Sequence, residues 1–262
     1  MNTYVNALPP PIDSIQANEA LAASNQCFNY DTNFAEESYG WSSENSARDT
    51  YEQKPDGIQM NLVAPIEYVR LTDELTQLPY NKYMGRGPTF NSTFHVKYGT
   101  VTARLKTGAL GGSITAFVLI ADNGDEIDFE FIGGDPHTVY TNFFYKGEKV
   151  YDVNGAQHTV PGAATSDEFH SYTFDWKPES ITWLVDGQVV RVQEKSATCK
   201  DGDCKFPSSP SRIQIGLWDG SFQYGTAQWS RGPIDWTSNP QVSSTIGSVQ
   251  VTCDANHNTI FD

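Results

Sequence analysis

An all-β, two-sheet antiparallel sandwich is the fold class the sequence predicts, and three observations carry it. Short segments rich in Val, Ile, Thr and aromatic residues recur along the chain, broken by Gly, Pro, Asn and Asp. In ITWLVDGQVVRV (181–192) a two-residue Asp-Gly turn joins two alternating runs, the strongest short-range hairpin signal. No helical period persists beyond the first 26 residues.

Residues 1–26 read as an extended, Pro-containing arm with a short helix over ANEALAAS (17–24). From Cys27 the text turns β-like. The expected strands are GIQMNLV (57–63), TFHVKYGTVTARLKT (93–107), SITAFVLIA (113–121), HTVYTNFFY (137–145), FHSYTFDW (169–176), SITWLVDGQVVRVQ (180–193), SRIQIGLWDG (211–220) and IGSVQVTCD (246–254). Each is enriched in β-branched and aromatic residues and bounded by turn formers. No internal repeat or second-domain linker interrupts them, and 262 residues suit one large sandwich, so 27–262 is expected to be a single domain.

The formal charge of −15, from 32 acidic and 17 basic residues, argues against nucleic acid and against an anionic membrane surface. A neutral polymer such as a polysaccharide is easily accommodated, and 13% aromatic residues suit one. No apolar run reaches membrane-spanning length. MNTYVNALPPP has neither the basic start nor the apolar run of a signal peptide. The reading is of a secreted protein whose leader or tail has been removed, with a glycosylphosphatidylinositol anchor in the precursor left open.

Of the four cysteines, Cys199 and Cys204 flank a Gly-containing loop that a disulfide can close, which leaves Cys27 to pair with Cys253. Four buried free thiols are the alternative. No paired Cys-x-x-Cys hooks are present, so no metal and no cofactor is expected. Asn91-Ser92-Thr93 is a glycosylation sequon, consistent with secretion and common by chance.

The chemistry concentrates in GDEIDFEFIGG (124–134). Strand alternation puts Glu126, Asp128 and Glu130 on one face and Ile127, Phe129 and Phe131 on the other. Asp125 falls out of the acidic set. Four strand steps separate the Glu126 and Glu130 Cα atoms by roughly 13 Å, a gap two Glu side chains leaning together can close to the about 5–5.5 Å of a retaining glycosidase pair. Like charges at close range raise at least one pKa, which keeps one carboxyl protonated as an acid. Alternation alone serves a solvated strand face equally well, and three carboxylates are also hard ligands for calcium, although a strand does not wrap an ion.

The flanking text decides between these. DEIDFEFIGG, TNFFYKG, FHSYTFDW, ITWLVDGQVVR and IQIGLWDG…WSRGPIDW, in order from Thr93 to Trp236, resemble glycoside hydrolase family 16. The likeness is greatest to fungal Crh-type cell-wall transglycosylases and next to plant xyloglucan endotransglycosylases. It implies a curved β-jelly roll with an open concave cleft. It also implies that Glu126 is the nucleophile, Asp128 its assistant and Glu130 the acid/base. Asn142 matches a polar residue of the cleft, Trp218 and Trp229 match aromatics that stack on sugar rings, and Tyr145 is added from its position after the same strand. Trp176 and Trp183 read as core. Relatives carry Gln or His where this chain has Tyr140, and the plant branch's C-terminal cysteine-rich extension has no counterpart.

The activity implied is retaining transfer of a cell-wall polysaccharide, chitin or β-1,3/1,6-glucan, onto a chitin or glucan acceptor by an extracellular, monomeric enzyme. A hydrolytic endo-β-1,3(4)-glucanase is the alternative within the class, and a non-catalytic lectin the alternative outside it.

Overall fold

The computed structural model describes residues 29–43, 46–148, 150–254 and 256–257. In chain order its strands are β1 (Tyr30–Asn33), β2 (Trp41–Ser42), β3 (Tyr51–Lys54), β4 (Gly57–Val63), β5 (Arg70–Thr72), β6 (Pro79–Asn81), β7 (Thr89–Val96), β8 (Gly99–Lys106), β9 (Ser113–Ile120) and β10 (Glu126–Ile132). They continue with β11 (Thr138–Phe144), β12 (Ala156–Thr159), β13 (His170–Trp176), β14 (Ser180–Val185), β15 (Gln188–Glu194), β16 (Cys199–Lys200), β17 (Asp203–Cys204), β18 (Ser211–Asp219) and β19 (Gln241–Thr252). One main sheet runs β12-β11-β10-β9-β18-β7-β2; the other runs β15-β14-β13-β8-β19-β4-β3, with β1 also on β19.

Alternation builds the core between them. In β13 every second residue from His170 to Trp176 is buried, and in β14 the same rhythm buries Ile181, Trp183 and Val185. From β10, Phe129 and Phe131 meet Phe174 and Tyr172 of the opposite sheet, with ring centroids 5.1 and 4.4 Å apart. Phe117 of β9 closes on Phe174 at 4.6 Å. Aromatic pairs in this range add about 0.5–1.5 kcal/mol each beyond their area burial. Trp176 and Trp183 are fully buried, as the sequence reading places them.

β-Bulges bend the sheets. One lies between β18 and β7 at Arg212/Gln214, where the extra residues of β7 are held by Ser92: its Oγ accepts the Ile213 N–H at 2.9 Å and donates to the Phe94 carbonyl. A second interrupts β19 against β8 at Ile246/Ser248. A bulged strand bends and twists more strongly, which curves the sheet that carries it.

Three features differ from the sequence reading. The run 93–107 is not one strand: Tyr98 and Gly99 take φ of 65° and 101°, and the chain crosses there from β7 in one sheet to β8 in the other. A short helix, Tyr224–Trp229, follows β18, too brief to show a helical period. The hairpin of β14 and β15 turns at Asp186-Gly187 as expected, with φ of 49° and 76°, but carries a bulge at Trp183/Leu184.

Cys199 and Cys204 form the expected disulfide across β16 and β17. Cys253 is also disulfide-bonded, while its expected partner Cys27 and the ANEALAAS helix lie outside the described residues. Among the described residues no helix is long and apolar enough to cross a membrane.

Candidate active site

Strand register fixes what the cleft is made of. On β10, Glu126, Asp128 and Glu130 stand opposite Phe144, Asn142 and Tyr140 of β11, and opposite Ile120, Val118 and Ala116 of β9. Those β9 residues stand in turn opposite Arg212, Gln214 and Gly216 of β18. Residues directly opposite share a face, so three rows cross the sheet, and each row holds one carboxylate. In the Glu130 row the β9 and β18 residues are the small Ala116 and Gly216. A Cβ on Gly216 would press within 3.4 Å of Pro88 and Thr89.

Above this face lies a cleft of about 1230 Å³ lined by Glu126, Asp128 and Glu130, together with Tyr140, Asn142, Trp218 and Trp229 among others. Six of the seven sequence-predicted catalytic and sugar-binding positions therefore converge on one cavity. Tyr145 is the exception. It follows the last residue of β11, pairs with the Lys146 ammonium at 4.9 Å and does not line the cleft. Alternation gives that place to Phe144, which lies across from Glu126 and does line it.

The carboxylates feel one another. Burial is the largest cause that lifts the Glu130 carboxyl to about 7, and the charge of Glu126 adds to it. Asp128 is pushed well above its usual value by burial first, then by Glu130 and Glu126; Arg191 and a hydrogen bond from the Asn142 backbone oppose the shift. Its Oδ1 is buried without a hydrogen-bond partner among the described residues. A carboxyl so placed has a lone pair or proton left to share within the site. Beneath it, the Asp128 backbone carbonyl accepts Trp183 Nε1 at 3.1 Å, and Arg191 lies 4.6 Å from the Trp183 ring centre while donating to Thr141. The core tryptophan and the inter-sheet arginine thus fix the strand at the middle carboxylate.

These shifts carry a stability sign. Between 4.5 and about 7 the folded protein keeps on Glu130 a proton that the unfolded chain releases, so stability falls as pH rises through that window, and Asp128 acts in the same direction. The thermal unfolding midpoint is expected to be higher at pH 5 than at pH 8. Glu130→Gln should flatten that dependence; an equally steep profile in the variant would remove Glu130 as its source.

Asp125 is buried on the opposite side of the alternation. Its Oδ1 accepts the Lys146 N–H at 3.0 Å, and its Oδ2 accepts those of Ser208 and Ser209 at 2.9 and 3.1 Å. It ties two loops to the start of β10. Sequence reasoning set it aside from catalysis without finding this role, because its partners are 21 to 84 residues away.

Asn91 sits within β7, not in the exposed loop that suits a glycan, and its Oδ1 accepts Gln214 Nε2 at 2.8 Å. Register puts it on the carboxylate face, in the Asp128 row beyond Val118 and Gln214. A glycan there would stand on the same sheet face as the carboxylates.

A two-sheet sandwich whose curved face carries three facing carboxylates and a bank of aromatic rings has the build of an enzyme acting on glycosidic bonds. The chain belongs to the glycosyl hydrolases family 16, whose model matches residues 38–238. It is 38% identical over 178 residues to Crh-like protein 2 of Aspergillus fumigatus, covering 64% of this chain and 40% of that protein. It is 36% identical over 177 residues to Congo red hypersensitive protein 2 of Saccharomyces cerevisiae, covering 64% and 37%. The chain thus spans about two fifths of the length of these curated relatives.

Among solved structures, a Crh5 transglycosylase in complex with NAG aligns with a TM-score of 0.73 at 25% identity, over 89% of this chain and 87% of that one. The β-glucanase of Bacillus licheniformis aligns at 0.67 with 21% identity, over 86% and 98%, and establishes the shared jelly-roll fold.

Proposed function

We propose that this protein is a retaining transglycosylase of the fungal cell wall, cleaving chitin or β-glucan and passing the cut chain to a chitin or β-glucan acceptor. The observation that carries the reading is the set of rows in the cleft, with Glu126 and Glu130 on either side of Asp128 on one strand face. The Crh-like relatives favour transfer over hydrolysis.

In the first half-reaction Glu126 attacks the anomeric carbon, and the glycosidic bond breaks as Glu130 gives its proton to the departing oxygen. The product is a glycosyl ester of Glu126. Burial suits Glu130 to this task, since a carboxyl at about 7 still carries its proton near neutrality. Glu130 then takes the proton from an acceptor hydroxyl, whose oxygen displaces Glu126 from the same face, so configuration is retained. Asp128 shares its proton with the nucleophile and so moderates the charge of Glu126 through the cycle. Asn142 holds sugar hydroxyls, while Trp218 and Trp229 take sugar ring faces.

Residues 27–262 act in this reading as one catalytic unit with 1–26 as an arm, working as a secreted monomer at the cell wall. Incubation with a chitin donor and a fluorescent β-1,3-glucan oligosaccharide is expected to yield labelled product longer than the acceptor. Shortened donor with no labelled hybrid would identify a hydrolase.

A further inference from the structure

Tyr140 stands directly across the β10–β11 ladder from Glu130 and lines the cleft beside it. Its hydroxyl donates to Asp135 Oδ2 at 2.8 Å, and Arg231 Nη2 approaches the same oxygen at 3.5 Å. Burial and Asp135 push the phenol up to about 12, so it remains a donor. Partial burial alone would raise Asp135, but the hydrogen bonds from Tyr140 and Thr138 and the Arg231 charge hold its carboxyl below the usual value.

The backbone has been shaped around this tether. Arg231 has a φ of 60°, in the left-handed region that only glycine takes without cost. A Cβ at Gly134 would collide with the Arg231 side chain, and one at Gly111 with the Arg231 backbone. An arginine kept in a costly conformation, with two glycines making room for it, points to work for its side chain, which reaches both Asp135 and the Tyr140 hydroxyl.

The tether leaves the Tyr140 ring in a fixed place. It meets Trp229 edge-on at 6.0 Å, and Trp229 stacks on Trp218 at 6.2 Å. Three rings thus form one wall beside Glu130. The acceptor must bind here, because Glu130 removes its proton.

We propose that Tyr140, held in place by Asp135 and Arg231, determines acceptor specificity by selecting pyranosides whose ring substituents are all equatorial. Such a ring, that of a β-linked glucoside, presents an unbroken C–H face to the aromatic wall. An axial hydroxyl, as in a galactoside, would break that face and lose hydration against the Tyr140 and Trp229 rings, while the phenol's own proton is already given to Asp135. The inference rests on the transglycosylase reading and names the acceptor class of that same site.

The test measures transfer from a chitin oligosaccharide donor to fluorescent β-1,3-gluco- and β-1,4-galacto-oligosaccharide acceptors. The wild type is expected to favour the gluco acceptor. Tyr140→Gln should raise its KM about tenfold, with less than a twofold change in donor KM, and narrow the preference over galactoside. Arg231→Gly loosens the tether, leaving the Tyr140–Asp135 bond, and relieves the backbone; it should raise the acceptor KM in the same direction, by less than Tyr140→Gln, without lowering the unfolding midpoint. A purely structural tether would instead lower the midpoint and leave acceptor KM unmoved. Unchanged acceptor KM in both variants, with hybrid still formed, overturns this inference alone. A wild type that forms no hybrid with either acceptor overturns the transglycosylase reading and this inference together.

Discussion

Glu126→Gln is expected to lower turnover by about 10³-fold or more while the protein folds normally. The amide has the shape of the carboxylate but cannot form the glycosyl ester. It also removes a charge that presses on both neighbours, since Glu126 helps to lift Glu130 and Asp128. The variant should therefore unfold no earlier than the wild type at pH 8, where that repulsion is greatest. Product analysis and thermal denaturation on one preparation check both halves. Retained activity would overturn the assignment of the nucleophile.

Asp125→Ala should show the opposite pattern, with a large loss of stability from a residue that has no part in the chemistry. Its carboxylate accepts three backbone N–H groups, from Lys146, Ser208 and Ser209, and is itself buried. Hydrogen bonds to a charged acceptor contribute about 1.5–3 kcal/mol each, and they are not additive. A destabilisation of about 3–5 kcal/mol follows, or roughly 10 °C in the unfolding midpoint. Asp125→Asn keeps one acceptor oxygen and should lose less. An alanine variant as stable as the parent would show that the two loops hold without this tether.

The contrast between these neighbours marks what a sequence can disclose. Alternation in β10 is local, so it assigned Glu126 and Asp125 to opposite faces with no knowledge of the fold. The aromatic segments were legible for the same reason, and Trp176 and Trp183 fell into the core as expected. Whatever depends on distant partners was not legible. The Asp125 tether joins segments on either side of β13–β15, and the cluster of Tyr140, Asp135 and Arg231 needs two chain segments almost a hundred residues apart.

Strand ends were the other weak point. Tyr145 was added on proximity to β11, but the strand stops at Phe144, and the parity of its alternation awards the cleft to Phe144. The sequon at Asn91 was read without a face. Only the pairing of β7 with β18 shows that its side chain shares a surface with the carboxylates. The crossover at Tyr98 and Gly99 was hidden because both sides of it have the same β-forming composition.

Strand β10 serves as a ruler, with the core on one edge and the chemistry on the other. One residue inserted between Glu126 and Glu130 would turn an acid into the space of Phe129 or Phe131, so that folding and catalysis would fail together. Two inserted residues would restore both faces yet move the outer carboxyls roughly 7 Å further apart, too far to work on one bond. The span between the two outer carboxyls is thus measured in peptide units. The phenylalanines that hold the two sheets together keep that measure from changing.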